Sequence, residues 1–304
     1  MLDDGRMTPA HAARLRGKLY FSIGSSFFSV GRAALQAFTA RQYNKTGTSR
    51  LTPELRVAVE FFIELLGAVP PRRVYVREDS RPPMCGRTLC LSLNVMTMVM
   101  IDDETGDSFY IGDAEIAFVA YDPIDDTWHT GAKSVGLDVI KQMLANKKTC
   151  IGQLEAMAAD AFVHTLPADR LHNRKAFMWI DHLSAVYSLR KGDSKVGDTG
   201  KVVNSFHVMQ TKRKLRMWFE YVPSEQNIAD LPSRRKWCEL HRVIDSVSGG
   251  SRTRFRYDVV IPPYDSWLSP LLGHGSTKRR RHSSSIIQGR ETRRSCPSSV
   301  ISLR

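Results

Sequence analysis

Long apolar runs are missing from this chain of 304 residues. No stretch reaches the length that a membrane-crossing helix needs. The opening Met1-Leu-Asp-Asp-Gly5 also lacks the basic start and apolar body of a secretory leader. No membrane partner is therefore expected. Cysteine is scarce: Cys85, Cys90, Cys150, Cys238 and Cys296 are odd in number and scattered, without a C-x-x-C pair or a zinc-type His/Cys spacing. That argues against a disulfide framework or a zinc module and for a reducing, intracellular setting. Glycine-rich phosphate loops are absent, since Gly249-Gly250 marks only a loop. With no G-x-S-x-G elbow, the serine-hydrolase reading falls away too. Internal repeats are not evident.

What is present is a basic chain with ample core-forming residues. It is 42% hydrophobic, enough for one large or two small domains, and carries a net charge of +13. The charge is concentrated at the end, where Lys278-Arg-Arg-Arg-His282 is followed by Arg290, Arg293 and Arg294. The stretch 277–304 is Ser-rich and lacks periodic apolar residues, which predicts a disordered tail. Such a run is either a nuclear-localisation or nucleic-acid patch, or a solvated charged end. Lys212, Arg213, Lys214 and Arg216 form a second basic run. It can follow a nucleic-acid backbone or blunt a solvent-facing strand edge.

The chemistry-bearing residues fall at the ends of regular elements. Trp218-Phe-Glu-Tyr-Val222 reads as a strand running into a polar turn, after which Asn227-Ile-Ala-Asp230 opens a helix. A helix start favours an ionised Asp230. Ala176-Phe-Met-Trp-Ile180 is another strand, ended by Asp181 and followed by the helical pattern Ser184–Leu189. In 151–164, Leu154, Ala158, Ala161 and Phe162 form a buried helical stripe with Glu155 at its border. Val74-Tyr-Val-Arg-Glu-Asp-Ser80 reads as a strand closing on Asp79, and Glu115–Asp122 as the next one.

Strand with Asp, helix with Glu, strand with Asp, helix with Asp: this order resembles the ribonuclease H fold. It is most similar to the RNase H domain that follows the polymerase in retrotransposon reverse transcriptases. Asn227-Ile-Ala-Asp230 with Ser233-Arg234 is similar to the family's N-x-x-A-D-x-x-S-R ending, and Gln153-Leu-Glu-Ala156 to its E-L-x-A helix opening. Trp179-Ile-Asp181 with Ser184-Ala185 resembles its T-D-N-x-A segment, with His182 in place of the usual Asn. Asp79 is taken as the family's first aspartate. Asp113-Ala114 is the rival, disfavoured because the next strand begins at once and leaves no room for a hairpin turn.

The resemblance implies an α/β fold, a mixed five-stranded sheet flanked by helices, with an N-terminal helical extension. It further implies metal-dependent endonucleolytic cleavage of the RNA strand in RNA–DNA hybrids. Asp79, Glu155, Asp181 and Asp230 would be both the catalytic and the metal-binding set. They would hold two Mg²⁺ ions, with Mn²⁺ as substitute, for in-line displacement at phosphorus. The partner would be a hybrid or other nucleic acid, recognised mainly by shape and 2′-hydroxyls, together with a reverse-transcriptase polymerase domain. An inactive nucleic-acid-binding remnant of the same domain is the competing reading. An integrase-type nuclease fits less well, because the late carboxylate is Asp230 rather than a Glu.

The division expected is a helical, connector-like extension over 1–70, the RNase H-like domain over 71–247 with an insertion at 81–112, an apolar segment over 248–276, and the basic tail over 277–304. Within the extension, Leu55, Val59, Phe62, Ile63 and Leu66 lie on one face of a helix that Leu51-Thr-Pro-Glu54 opens. Gly17-Lys-Leu19 resembles a helix of the retroelement connector. Met100-Ile-Asp-Asp103 has too little chain before it to be a polymerase site.

Overall fold

The computed structural model describes residues 5–23, 29–44, 49–68, 88–96, 99–101, 108–110, 114–144, 149–248 and 253–263. Three helices come first: α1 (Pro9–Ser22), α2 (Leu35–Tyr43) and α3 (Pro53–Ala68). Thr8 caps α1 by accepting from the His11 amide at 3.2 Å, and Pro9 occupies the first turn, where a missing amide costs nothing. The apolar stripe foreseen on α3 is largely real: Leu55, Val59 and Phe62 are buried against Phe38 of α2. Ile63 and Leu66 are exposed instead.

The second body is a sheet with helices on both sides. Its strands are β1 (Thr88–Met96), β4 (Ala114–Asp122), β5 (Thr127–Val135), β6 (Lys175–Ile180), β7 (Arg216–Tyr221) and β8 (Arg254–Tyr257). A separate small hairpin joins β2 (Val99–Ile101) to β3 (Ser108–Tyr110). The sheet order is β7-β6-β1-β4-β5-β8. β1, β4 and β5 form an antiparallel meander, whereas β6 and β7 run parallel to β1. Parallel neighbours require crossovers. These are α4 (Leu137–Leu144), α5 (Ile151–Thr165) and α6 (Ala168–Leu171) before β6, then α7 (Leu183–Lys191) and α8 (Gly197–Lys212) before β7. After β7 come α9 (Asp230–Ser233) and α10 (Trp237–Ser248).

This is the mixed, helix-flanked sheet expected, with one strand more. β8 was not foreseen. Its Arg254-Phe-Arg-Tyr257 is short and half polar, and Arg256 seats over the Trp237 ring of α10 at 3.9 Å. Immediately after it, Val259 enters the main core.

The expected insertion requires a correction. The central position belongs to β1 at Thr88–Met96, inside the stretch 81–112 set aside above as an insertion. Residues 69–87, including Asp79, lie outside the described residues, as does Asp113.

α5 is the pillar of the core. Every residue from Gln153 to Val163 is buried, because the helix is enclosed by the sheet on one side and by α7 and α8 on the others. Ala156, Ala158, Ala159 and Ala161 keep its surface thin, and Phe118 meets Phe162 edge-on at 5.3 Å. The helical extension docks on α8. Val208 joins the core of α1–α3, and the Gly31 amide donates to Asn204 Oδ1 at 3.0 Å.

Candidate functional site

The three described carboxylates of the expected set lie toward one end of the sheet. Asp181 follows the last residue of β6. Gly152 brings the start of α5 against the same turn: a Cβ there would lie 2.8 Å from Ser184 Oγ and 3.1 Å from His182 Cε1. Glu155 sits one turn further along α5 and is only 2% exposed, so the helix carries it inside rather than at its border. Asp230 is the first residue of α9, which packs on β1, β4 and β5.

The matched motif explains its own geometry. Asn227 Oδ1 accepts from the Ala229 amide at 3.2 Å and turns the chain into α9. Ser233 Oγ donates to the Asp230 carbonyl at 3.1 Å, closing that short helix. Arg234 Nε donates to Asp230 Oδ1 at 2.7 Å. Two neighbours then fasten the segment to the sheet: Ala229 is buried with Val119, and Arg235 pairs with Glu115 of β4 at 2.9 Å. His182 acts as the cap residue of α7, its Nδ1 2.9 Å from Ser184 Oγ. Gln153 Nε2 donates to the Met143 carbonyl at 3.4 Å, a structural role.

The fourth carboxylate of a two-metal set is not on the central strand. β1 reads Thr-Leu-Cys-Leu-Ser-Leu-Asn-Val-Met, without an acidic residue. Leu93 pairs with Ile180, so position 94, an asparagine, is level with Asp181. Nor do the ligand atoms of the remaining three all lie within 4.8 Å of one another. Among the described residues, the one group of three His, Cys, Asp or Glu side chains with ligand atoms within 4.8 Å of one another is elsewhere. Among the described residues, therefore, the carboxylate set for a pair of Mg²⁺ ions, which want several carboxylate oxygens around each bridged position, is not complete; Asp79 and Asp113 lie outside them.

That other group is Asp122, Asp125 and His129, at the opposite end of the sheet, and sequence reasoning missed it. A Pro-Ile turn separates Asp122 from Asp125, and only the β4–β5 register folds His129 back toward them. Its spacing would admit one cation, but the site already holds two. Arg174 forms a two-pronged pair with Asp122 at 2.8 and 3.0 Å, and Arg170 pairs with Asp125. Burial by itself would raise the Asp122 pKa, yet the Arg174 contacts and the Ile124 amide outweigh it and the net is a lowered value. Asp125 is likewise lowered: burial would raise it, but hydrogen bonds from Thr127 and Arg170 outweigh that. His129 is fully buried between Thr127 Oγ1 (3.0 Å) and the Tyr257 hydroxyl (2.9 Å). Burial, with Arg170 nearby, pushes its pKa down to about 4.

The basic run Lys212–Arg216 is also placed. Arg216 is level with Lys175, at the end of β6 away from Asp181. Arg213 Nη1 donates to the Leu166 carbonyl at 2.5 Å, and burial lowers the pKa of both Arg213 and Lys212. Arg213 thereby ties the end of α8 to the end of α5, and the run lies at the end of the sheet away from Asp181.

No family model matches the chain, and no curated protein matches it. Solved structures do. One is the N-terminal RNase H domain of a Mycobacterium tuberculosis protein, solved as a fusion with maltose-binding protein. It is 11% identical over 53% of this chain and 96% of that one, with a TM-score of 0.32. Another is the prototype foamy virus protease–reverse transcriptase, 9% identical over 72% of this chain and 32% of that one, also at 0.32.

Proposed function

We propose that this chain is an RNase H-like nucleic-acid-binding module of reverse-transcriptase type, whose ligand is an RNA–DNA hybrid and whose two-metal cleavage site is incomplete. One observation carries the reading: the strand at the centre of the sheet has asparagine level with Asp181 and no carboxylate anywhere along it. In-line displacement by paired ions needs a bridging carboxylate there, because the sheet centre is where the helix and strand-end ligands meet.

The retained features fit binding. The strand order, Glu155, Asp181 and the Asn227–Arg234 turn keep the resemblance, and the net charge of +13 favours a polyanion. The α1–α3 extension, docked on α8, fits a connector to a polymerase domain, and a nuclear setting would suit the basic tail. A second reading rests on the order of Glu155, Asp181 and Asp230: cleavage survives if Asp79 supplies the missing ligand.

The test is a labelled RNA–DNA hybrid incubated with the protein in Mg²⁺ and in Mn²⁺. The expected result is binding that weakens steeply with salt, without cut RNA. Asn94→Asp is expected to create metal-dependent cutting of the RNA strand, abolished by a further Asp181→Asn. Cutting by the unaltered protein, lost in Asp181→Asn and Asp79→Asn, would replace the binding-only reading with the hydrolase. Absence of any hybrid binding would remove both.

A further inference from the structure

One face of β6 and β7 carries an aromatic and basic stripe that the described residues leave partly exposed. Along β6, Ala176, Met178 and Ile180 point into the main core, so Lys175, Phe177 and Trp179 share the other face. All three are half-buried. On β7, Arg216 and Trp218 stand level with Lys175 and Phe177 on that same face. The Phe177 and Trp179 rings stack at 5.7 Å with an interplanar angle of 26°, and Trp218 meets Phe177 at 6.5 Å and 61°. Trp218 is 47% exposed. Among the described residues, α9 lies over β1, β4 and β5 rather than over this part.

We propose that this face is a binding platform for single-stranded nucleic acid, with bases stacking on Trp218, Phe177 and Trp179 and the backbone held by Lys175 and Arg216. Aromatic faces take any base, and flanking cations take the phosphates, which is the pairing that sequence-tolerant single-strand binders use. The platform also has a direction. Lys175, Phe177, Trp179 and Asp181 alternate along one strand, so the stripe runs from cations to the carboxylate end over roughly 20 Å. A strand following it would pass from the basic end toward Asp181. Glu220, level with Trp179, places an acid within the platform. Trp218 Nε1 donates to it at 2.8 Å and Arg190 pairs with it at 3.0 Å, which offsets its charge.

This goes beyond hybrid binding, because a single strand on the β6–β7 face needs none of the carboxylates. The experiment titrates the full chain with oligo(dT) and oligo(U), following tryptophan fluorescence, with the hybrid measured beside them. Salt-sensitive binding with quenching is expected. Trp218→Ala should weaken it about tenfold or more, Trp218→Phe should largely preserve it, and Lys175→Glu should weaken it and flatten the salt dependence. An unchanged melting temperature in Trp218→Ala would show that the exposed ring is not needed for folding. Oligonucleotide affinity indifferent to Trp218→Ala overturns the proposal. So does a self-association, seen by sedimentation, that Trp218→Ala abolishes without touching oligonucleotide affinity; the face would then be a protein interface. Hybrid binding lost with single-strand binding intact would sink the proposed function alone.

Discussion

The two ends of the sheet carry acidic groups of opposite character. At one end Glu155, Asp181 and Asp230 come from three separate elements and answer to a recognisable motif, yet their ligand atoms do not all lie within 4.8 Å of one another. At the other, Asp122, Asp125 and His129 belong to no motif, yet their ligand atoms lie within 4.8 Å of one another. The difference is in the counter-charges. Arg170 and Arg174 pair with the carboxylates of the compact cluster, where Asp122 and His129 are buried, whereas in the loose set Asp230 pairs with the half-exposed Arg234. A compact acidic cluster is therefore no better evidence for a metal than a dispersed one. What counts is whether cationic side chains have already taken the charge.

The largest effect expected from breaking this contrast is at Asp122. Its side chain is 2% exposed and that of Arg174 is 12% exposed. Asp122→Ala leaves a guanidinium inside without its partner, so unfolding free energy should fall by about 3–5 kcal/mol, read from denaturant midpoints. Asp181→Asn, at a half-exposed turn, should change it by less than about 1 kcal/mol. Equal losses would erase the distinction between a structural and a functional end.

Acid provides the next probe. His129 and the buried His207 both have folded pKa values near 4 against 6.5 ordinarily, burial being the leading cause. The unfolded chain takes up these protons first, so stability is full above about pH 6.5 and falls as pH drops toward 4. Each histidine should contribute a loss on the order of 2–3 kcal/mol across that window. His129→Gln should remove roughly half of the total slope, measured by melting at stepped pH.

Metal is expected to do less. Millimolar Mg²⁺ should leave the melting temperature of the unaltered chain unchanged, since a cation at the compact cluster would have to displace two arginines. A clear rise, which ligand linkage would produce, would reinstate a metal at one end, and Asp122→Asn against Asp181→Asn would show which. The smallest effect is at Arg234, whose pair with Asp230 is largely exposed. Arg234→Ala should cost no more than about 1 kcal/mol.

Much of the fold could be read from sequence wherever apolar periodicity met a clear terminus. Ala176–Ile180, Glu115–Asp122, the Leu154–Phe162 stripe and the Asn227–Arg234 turn all fall where their patterns placed them. The misses share another feature. α8 opens Gly197-Asp-Thr-Gly-Lys201 and buries Asn204, Ser205 and His207, a polar series that looks like a loop until its partners are known. His207 is tolerated there because Nε2–H donates to the Leu189 carbonyl at 2.9 Å and Gln210 holds its Nδ1.

By itself, then, the sequence determined element identity and the resemblance, through hydrophobic spacing and turn chemistry that act over a few residues. Tertiary structure decided which strand is central, that Glu155 is enclosed, that the Lys212–Arg216 run lies away from the carboxylates, and that Arg174 answers Asp122 across 52 positions of chain. These depend on pairing and charge compensation between distant segments. Such contacts leave no periodic trace along the chain, because each partner is selected by where the backbone brings it.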